Sequence, residues 1–419
     1  MSELDRLAVV VREEWGRLTS LLLARYRRLD LVEDALADAV EQAARHWPRT
    51  GCPDNPAAWL HTTARRRVLD RLRSEAMAQR RRPLLVTDAE LHDQATATRA
   101  DPGGLVEDER LRLVLMCTHP ALAPEAGSAL ALRLVLGVST HDIARLFLVP
   151  ETTMAARLTR AKKKVVAAGI PFAVPDVSVL PDRLDTVAQT AYLAFTAGYA
   201  PGSGPDLHRA ELAGEAVRLV RVVLALRPGE PVLVALLALL LLQHSRRDAR
   251  VRDGRLVLLP EQDRTRWHHE EVAEALSLLT SPALAGPVST QAAIYAVQAR
   301  IAAEHATAPS SDRTRWGAVV AGYDLLLTLA PSPACRLARA VAVAEASGPE
   351  AGLSALDGLD VPGSHRTAAV RAELLRRTGD HDGARVAYDE ALARCRNEVE
   401  RTHLRERRDD LGTRTAPDA

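Results

Sequence analysis

The residues whose types and spacing could do chemistry lie along Gly137–Val165, GVSTHDIARLFLVPETTMAARLTRAKKKV. Asp142 to Leu146 reads as a short helix, with Ser139 or Thr140 placed to accept backbone N–H bonds at its start. A turn over Phe147–Pro150 leads to a second helix from Glu151, where a preceding proline is tolerated because first-turn N–H groups have no intrahelical partners. Met154, Leu158, Ala161 and Val165 recur at spacings of 4, 3 and 4, one face of a 3.6-residue period. The other face offers Thr152, Ala155, Ala156, Arg157 and Arg160, followed by Lys162, Lys163 and Lys164. Small side chains let a helix approach base edges, and the cations suit phosphates or guanine. This is the plan of a helix-turn-helix, whose second helix enters a major groove. The competing reading is a plain amphipathic helix pair with a solvated basic end. Leu148 stands where such turns often hold glycine, so a left-handed backbone there would be strained.

A second cationic surface lies upstream. From Ala57 to Arg82 eight arginines face only Asp70 and Glu75, a segment charge of +6. Trp59, Thr63, Val68 and Leu72 sit among them at helical spacings, so one side packs and the other is basic. The stretch before it, PRTGCPDNPAAW, is a loop by its turn chemistry. Trp47 and Trp59 flank it, and aromatic plus cationic groups are what unstacked bases need. From Val86 to Glu109 the sign reverses, with seven acids against Arg99 and a net charge of −6, a flexible linker or loosely helical spacer.

The elements that position these groups read as helical throughout. Ala, Leu, Val and Arg dominate and aromatics are 3%, which favours an all-α fold over a sheet protein. Two amphipathic helices fill residues 4–47, the second being LVEDALADAVEQAARHW. Leu105–Cys117 and Pro124–Leu136 precede the helix-turn-helix. From about Leu180 onward, helical patterns alternate with Pro/Gly breaks. RAELLRRTGDHDGARVAYDEALARC places Gly379, Ala384, Tyr388 and Ala391 where a tetratricopeptide repeat puts its turn and small residues. Arg339–Leu356, with Gly348 and Ala351, is an earlier echo. Arg396 stands where that repeat expects proline.

Other function classes find little support. The cysteines Cys52, Cys117, Cys335 and Cys395 are scattered, which suggests neither a disulfide scaffold nor a zinc site and fits a reducing cytosol. The N-terminus lacks a signal-peptide core, and the most apolar run, Pro231–Leu242, is about half of a bilayer span. WHHEE at Trp267–Glu271 superficially resembles a zinc-protease helix, but position 273 is Ala273, so His268 and His269 read as surface or inter-helix packing residues. GYAPGSGP has no GK[ST] ending and is a loop. The chain is therefore expected to be a cytoplasmic non-enzyme without metal or cofactor.

The order DLVEDALADAVEQA, WPRTGCPDNPAAWLHTTARRRVLDRLR, STHDIARLFLVPETTMAARLTRAKKKV resembles bacterial RNA polymerase sigma factors. It is similar to the extracytoplasmic-function group, which keeps sigma regions 2 and 4, and within it to members with a long tetratricopeptide-like C-terminal extension. Those share stretches such as AYLAFTAGY, LLALLLLQHSRRDAR and LLPEQDRTRW. The resemblance implies an all-α chain with a region 2 domain over 1–83, a linker over 84–109, a region 4 domain over 110–172 and a repeat domain over 173–419. It further implies that Glu33, Asp34 and Asp38 dock on the coiled coil of the largest core RNA polymerase subunit. Asn55 and Trp59 would take a flipped base of the minus-ten promoter element, and Arg65, Arg66, Arg67, Arg71 and Arg73 would hold promoter DNA backbone. Thr152, Ala155, Ala156, Arg157, Arg160 and Lys163 would read the minus-thirty-five element. The C-terminal domain is expected to regulate activity in cis and could take a protein partner on its repeat surface. The alternatives are a helix-turn-helix regulator that uses its repeats for partner or ligand sensing, and a repeat scaffold.

Overall fold

A computed structural model describes residues 3–79, 102–147, 149–199, 210–252, 255–359, 365–395 and 397–413. The turn residue Leu148, Arg396, most of the acidic spacer and most of the GYAPGSGP stretch lie outside them. The chain divides into two compact units. One comprises residues 1–193 with Ala225–Arg227; the other comprises residues 194–224 with 228–419.

In the first unit α1 (Glu3–Tyr26), α2 (Leu29–Thr50) and α3 (Pro56–Gln79) pack on one another. Their core joins Trp15, Leu18 and Leu22 of α1 to Val32, Leu36 and Trp47 of α2 and Leu60, Ala64 and Val68 of α3. The α2 helix runs to Thr50 rather than ending at Trp47, with Pro48 inside its last turn. Gly51 then closes it at φ +82°, donating its N–H to the Trp47 carbonyl. A positive φ is cheap only for glycine. The loop is thus shorter than its turn residues predict, 51 to 55.

Next come α4 (Pro102–Cys117), α5 (Pro124–Leu134), α6 (Thr140–Phe147) and α7 (Glu151–Ala167). The α4 helix starts at Pro102, inside the predicted spacer, and seats against α1. Ser139 caps α6, its Oγ accepting from the Asp142 N–H at 3.0 Å and donating to the Asp142 carboxylate at 2.6 Å. Met154, Leu158, Ala161 and Val165 are all buried, as their period requires. The start of α8 (Leu180–Tyr199) is tied to this group: Arg183 donates to the Leu115 carbonyl at 2.6 Å, and Ser128 to the Thr190 carbonyl at 3.0 Å.

The second unit is a run of helices, most of them packed on a helix one or two places away in the chain. It comprises α9 (Ala210–Leu226), α10 (Pro231–His244), α11 (His269–Leu279), α12 (Thr290–Thr307), α13 (Trp316–Leu329), α14 (Pro333–Ser347), α15 (Pro349–Ala355), α16 (Arg366–Thr378), α17 (His381–Arg394) and α18 (Glu398–Thr413). From α12 to α18 each helix contacts the next, so burial is shared between neighbours rather than gathered at one centre. The α10 helix is apolar all round because it is enclosed all round: Val232 through Leu242 are buried, against α11 and α12. No helix among the described residues is long and apolar enough to cross a membrane. A two-residue antiparallel ladder pairs Val251 with Leu256. Gly379 ends α16 at φ +89°, and Ala384, Tyr388 and Ala391 are buried behind it, as their spacing predicts. In the earlier helix pair, Gly348 makes the turn at φ +97°, but the close crossing falls on Gly352. A Cβ at Gly352 would lie 2.5 Å from that of Ala344.

One imidazole of this unit makes its stability depend on pH. His305 stands edge-on to Trp316 at 5.2 Å, and burial, with Arg246 and Arg264 nearby, pushes its pKa down to about 4. It is neutral in the fold, whereas the unfolded chain takes up a proton near pH 6.5. Its contribution is therefore complete above pH 6.5 and falls away as the pH drops toward 4. Between pH 7.5 and 5 the loss is about 2 kcal/mol. Denaturant unfolding at the two pH values reads it, and His305→Gln should flatten the difference. An equal drop in the variant would refute the assignment.

Candidate nucleic-acid and polymerase interface

The helix-turn-helix presents the face its sequence promises. Thr152, Ala155, Ala156, Arg160 and Lys163 are exposed on α7, and Arg157 is half-buried. His141 at the start of α6 meets the Glu151 carboxylate at 3.1 Å, which ties the two helix starts together. Arg157, Arg160 and Lys164 bank one side of a cleft of about 530 Å³ whose other wall is Ala121–Ala123 with Glu125 and Ala126. That wall is the entrance of α5, whose N-cap, Ala123, has no side-chain oxygen for the first-turn N–H groups. Three cations facing a helix N-terminus form an anion-accepting hollow. Arg157 thus lines a cationic hollow with Glu125 on its rim, while Thr152, Ala155 and Ala156 are exposed and do not line it.

The second basic surface is α3. Arg65, Arg66 and Arg67 are exposed in one turn. Arg73 is exposed beside Asp70 at 3.5 Å. Arg71 is committed differently, bridging to Asp34 at 2.7 Å and Asp38 at 3.2 Å on α2. The structure therefore brings one arginine of the predicted DNA set onto two carboxylates of the predicted polymerase set. Asn55 caps α3, its Oδ1 accepting from the Ala58 N–H at 3.0 Å. Trp59, half-buried, lies edge-to-face with the buried Trp47, centroids 5.6 Å apart at 71°. Trp47 fixes Trp59 at the edge of the loop, and the loop is moored by the Cys52 N–H donating to Glu3 at 3.1 Å.

Of the three α2 acids expected to dock on polymerase, Asp34 and Asp38 reach solvent and Glu33 does not. Glu33 is 6% exposed, with Arg133 Nε of α5 at 2.7 Å from one oxygen and the Lys162 ammonium of α7 on the other. Burial alone would raise its pKa, but Lys162 and Arg133 outweigh that and hold the carboxyl below the usual glutamate range. A depressed carboxyl pKa means this ion group is intact above the ordinary glutamate range and breaks only as the pH falls through the lower folded value. Sequence reasoning missed it because the partners lie 100 and 129 positions away.

A second polar network was also missed. Glu271 on α11 holds the buried His244 Nδ1 at 3.0 Å and Arg247 at 2.9 Å. Arg247 meets His268 Nδ1 at 3.0 Å, and His268 Nε2 meets Asp248 at 2.7 Å. His268 is thus an inter-helix residue, and His269 is exposed. His365, Cys395 and Glu400 bring three possible metal-ligand atoms within 4.8 Å of one another. The Glu400 carboxylate is already paired with His365 at 3.0 Å and has Arg366 at 3.8 Å, while burial pushes the Cys395 thiol up, an environment that disfavours a cation.

These surfaces agree with what the chain is similar to. Residues 10–77 match sigma-70 region 2 and residues 112–165 match sigma-70 region 4. Residues 183–283 match a family of unknown function, DUF6596. The chain carries sigma-70 regions 2 and 4, which supports an RNA polymerase sigma factor, a DNA-binding factor of transcription initiation. An uncharacterized protein of Rhizobium meliloti (strain 1021) is 40% identical over 402 residues, 94% of this chain and 93% of that protein. The likeness therefore includes the C-terminal helices as well as the two sigma regions. No solved structure matches the chain. Core RNA polymerase and promoter DNA are the partners that the two regions imply.

Proposed function

We propose that the chain is a sigma factor of the extracytoplasmic-function group whose tetratricopeptide-like C-terminal domain sets its activity in cis. The observation that carries this reading is the order of matched regions: region 2, region 4 and then some 240 residues of neighbour-packed helices in one chain. In this reading Asp34 and Asp38, with Glu33, dock on core polymerase. Asn55 and Trp59 take the minus-ten base, and Arg65, Arg66, Arg67 and Arg73 hold the nearby backbone, with Arg71 released to join them. Thr152, Ala155 and Ala156 meet minus-thirty-five base edges, while Arg157, Arg160 and Lys163 carry phosphates. A helix-pair array also offers a surface for a protein partner.

The deciding experiment is run-off transcription with purified core polymerase by a chain ending at Tyr199, which keeps the part of α8 moored to α4 and α5. Transcription should fall at least tenfold, and the missing residues added in trans should restore it only in part. Full activity from the shortened chain would refute control in cis. A full-length chain that binds promoter DNA but never core polymerase would point instead to a helix-turn-helix regulator.

The cleft beside Arg157 gives a separate expectation. Arg157→Ala should weaken promoter and unrelated DNA alike, by about 1 kcal/mol, and lower the salt dependence of binding by about one phosphate contact. Titrations at several salt concentrations measure this. Loss confined to the promoter would place Arg157 on a base edge.

A further inference from the structure

The α7 helix carries a single acid, Glu151, against Arg157, Arg160 and three lysines. Glu151 opens the first turn, beside Thr152 and one turn before Ala155, at the end that a helix-turn-helix sends into the major groove. Its side chain is 58% exposed and is held from the neighbouring helix, with His141 Nδ1 3.1 Å from Oε2. A carboxylate only accepts, so His141 donates its Nδ1–H, and Oε1 has no partner among the described residues. An acid in a first turn suits the helix dipole, and Pro150 offers no side-chain cap. That explains an acid at a helix start, but not an open carboxylate on a face meant for a polyanion, where the phosphates repel it at every sequence. Only a donor in the groove offsets that repulsion. An exposed ion pair contributes little to stability, so what His141 does to Glu151 is aim it.

We infer that Glu151 selects cytosine at one position of the minus-thirty-five element, accepting a hydrogen bond from the cytosine N4 amino group, with His141 as its positioning residue. The inference rests on the sigma-factor reading, which sends α7 to that element. Major-groove chemistry makes the choice one-sided. Cytosine presents only its N4 amino donor there. Guanine presents N7 and O6, and thymine presents O4, all acceptors that repel a carboxylate. Adenine sets a donor at N6 beside an acceptor at N7, a pair that an amide matches and an acid does not. Glu151 thus selects by rejecting three bases as well as by bonding one. Thr152 and Ala155 are small, so Glu151 reaches furthest from this end of α7. The same carboxylate lowers affinity for every sequence that lacks the cytosine.

The test is a selection. Duplexes randomised over the minus-thirty-five element are bound by the full-length chain with purified core polymerase. The retained sequences are read for the parent, Glu151→Gln, Glu151→Ala and His141→Ala. The parent should retain cytosine about tenfold over each other base at one position. Glu151→Gln should move that position to adenine, which a carboxamide meets at both N6 and N7. Glu151→Ala should level it while binding the unselected library more tightly. Neither should change the preference at other positions. His141→Ala should weaken the cytosine preference without losing it, at an unchanged melting temperature. A base profile that stays the same in both Glu151 variants, even where every sequence binds more tightly, makes Glu151 a charge alone and overturns the inference. A parental profile with no cytosine position does the same. A selective parent with unmoved variants faults Glu151 alone. A parent that retains no preferred sequence with core polymerase faults the sigma-factor reading, and the assignment of Glu151 falls with it.

Discussion

Reversing the charge of Asp34 and Asp38 together, as Asp34→Lys with Asp38→Lys, abolishes retention of core polymerase, a loss of at least about 100-fold. Close charge pairs across an interface are each worth about 1.5 kcal/mol or more, and reversal replaces attraction by repulsion at two of them. The fold survives because both carboxylates reach solvent on α2, where ion pairs contribute little to stability. Arg71 provides the control. In the parent it bridges both acids, so the double variant also sets two ammonium groups against it. Adding Arg71→Glu restores the pairing within the protein but not the docking. Pull-down with purified core measures all three proteins, and undiminished retention by the double variant would remove α2 from the polymerase interface.

The largest stability effect is expected at Glu271. Glu271→Ala leaves Arg247 and His244, 8% exposed, without their shared carboxylate. Glu271 and Arg247 are half-buried and Arg247 keeps His268, so the loss is about 1–3 kcal/mol, the cost of leaving polar partners short of an acceptor. Denaturant unfolding should show that loss in the transition of the second unit. Glu271→Gln, which keeps an acceptor of the same shape, should cost clearly less. A change below about 0.5 kcal/mol for the alanine variant would mean that the network is solvated.

The two faces of α7 were legible in the sequence because they depend only on local periodicity: Met154, Leu158, Ala161 and Val165 go inward wherever the helix packs. The Gly379 turn was legible for the same reason, since a left-handed helix end strongly favours glycine. Glu33 was not. Its neighbours Asp34 and Asp38 look identical to it by type, and one helical step decides which of them points at region 4. What buries Glu33 is a pair of cations far along the chain, and no local pattern encodes that meeting. The extent of α2 failed differently. Pro48 signalled a break, yet proline in a last turn forfeits little, and the helix continued to Gly51. The Glu271 network was half visible as His268 and Glu271, but its other half follows the most apolar helix of the chain.

That helix also imposes an order on biosynthesis. The α10 helix is sheathed by α12, whose last residue, Thr307, is translated about 60 residues after His244. At 5–20 residues per second, the growing chain carries a bare apolar rod for roughly 3–12 s before its main cover exists. A ribosome that stalls between those points holds a segment suited to chaperone capture or to aggregation. Release of a chain ended there would leave the sigma regions complete and the rod uncovered.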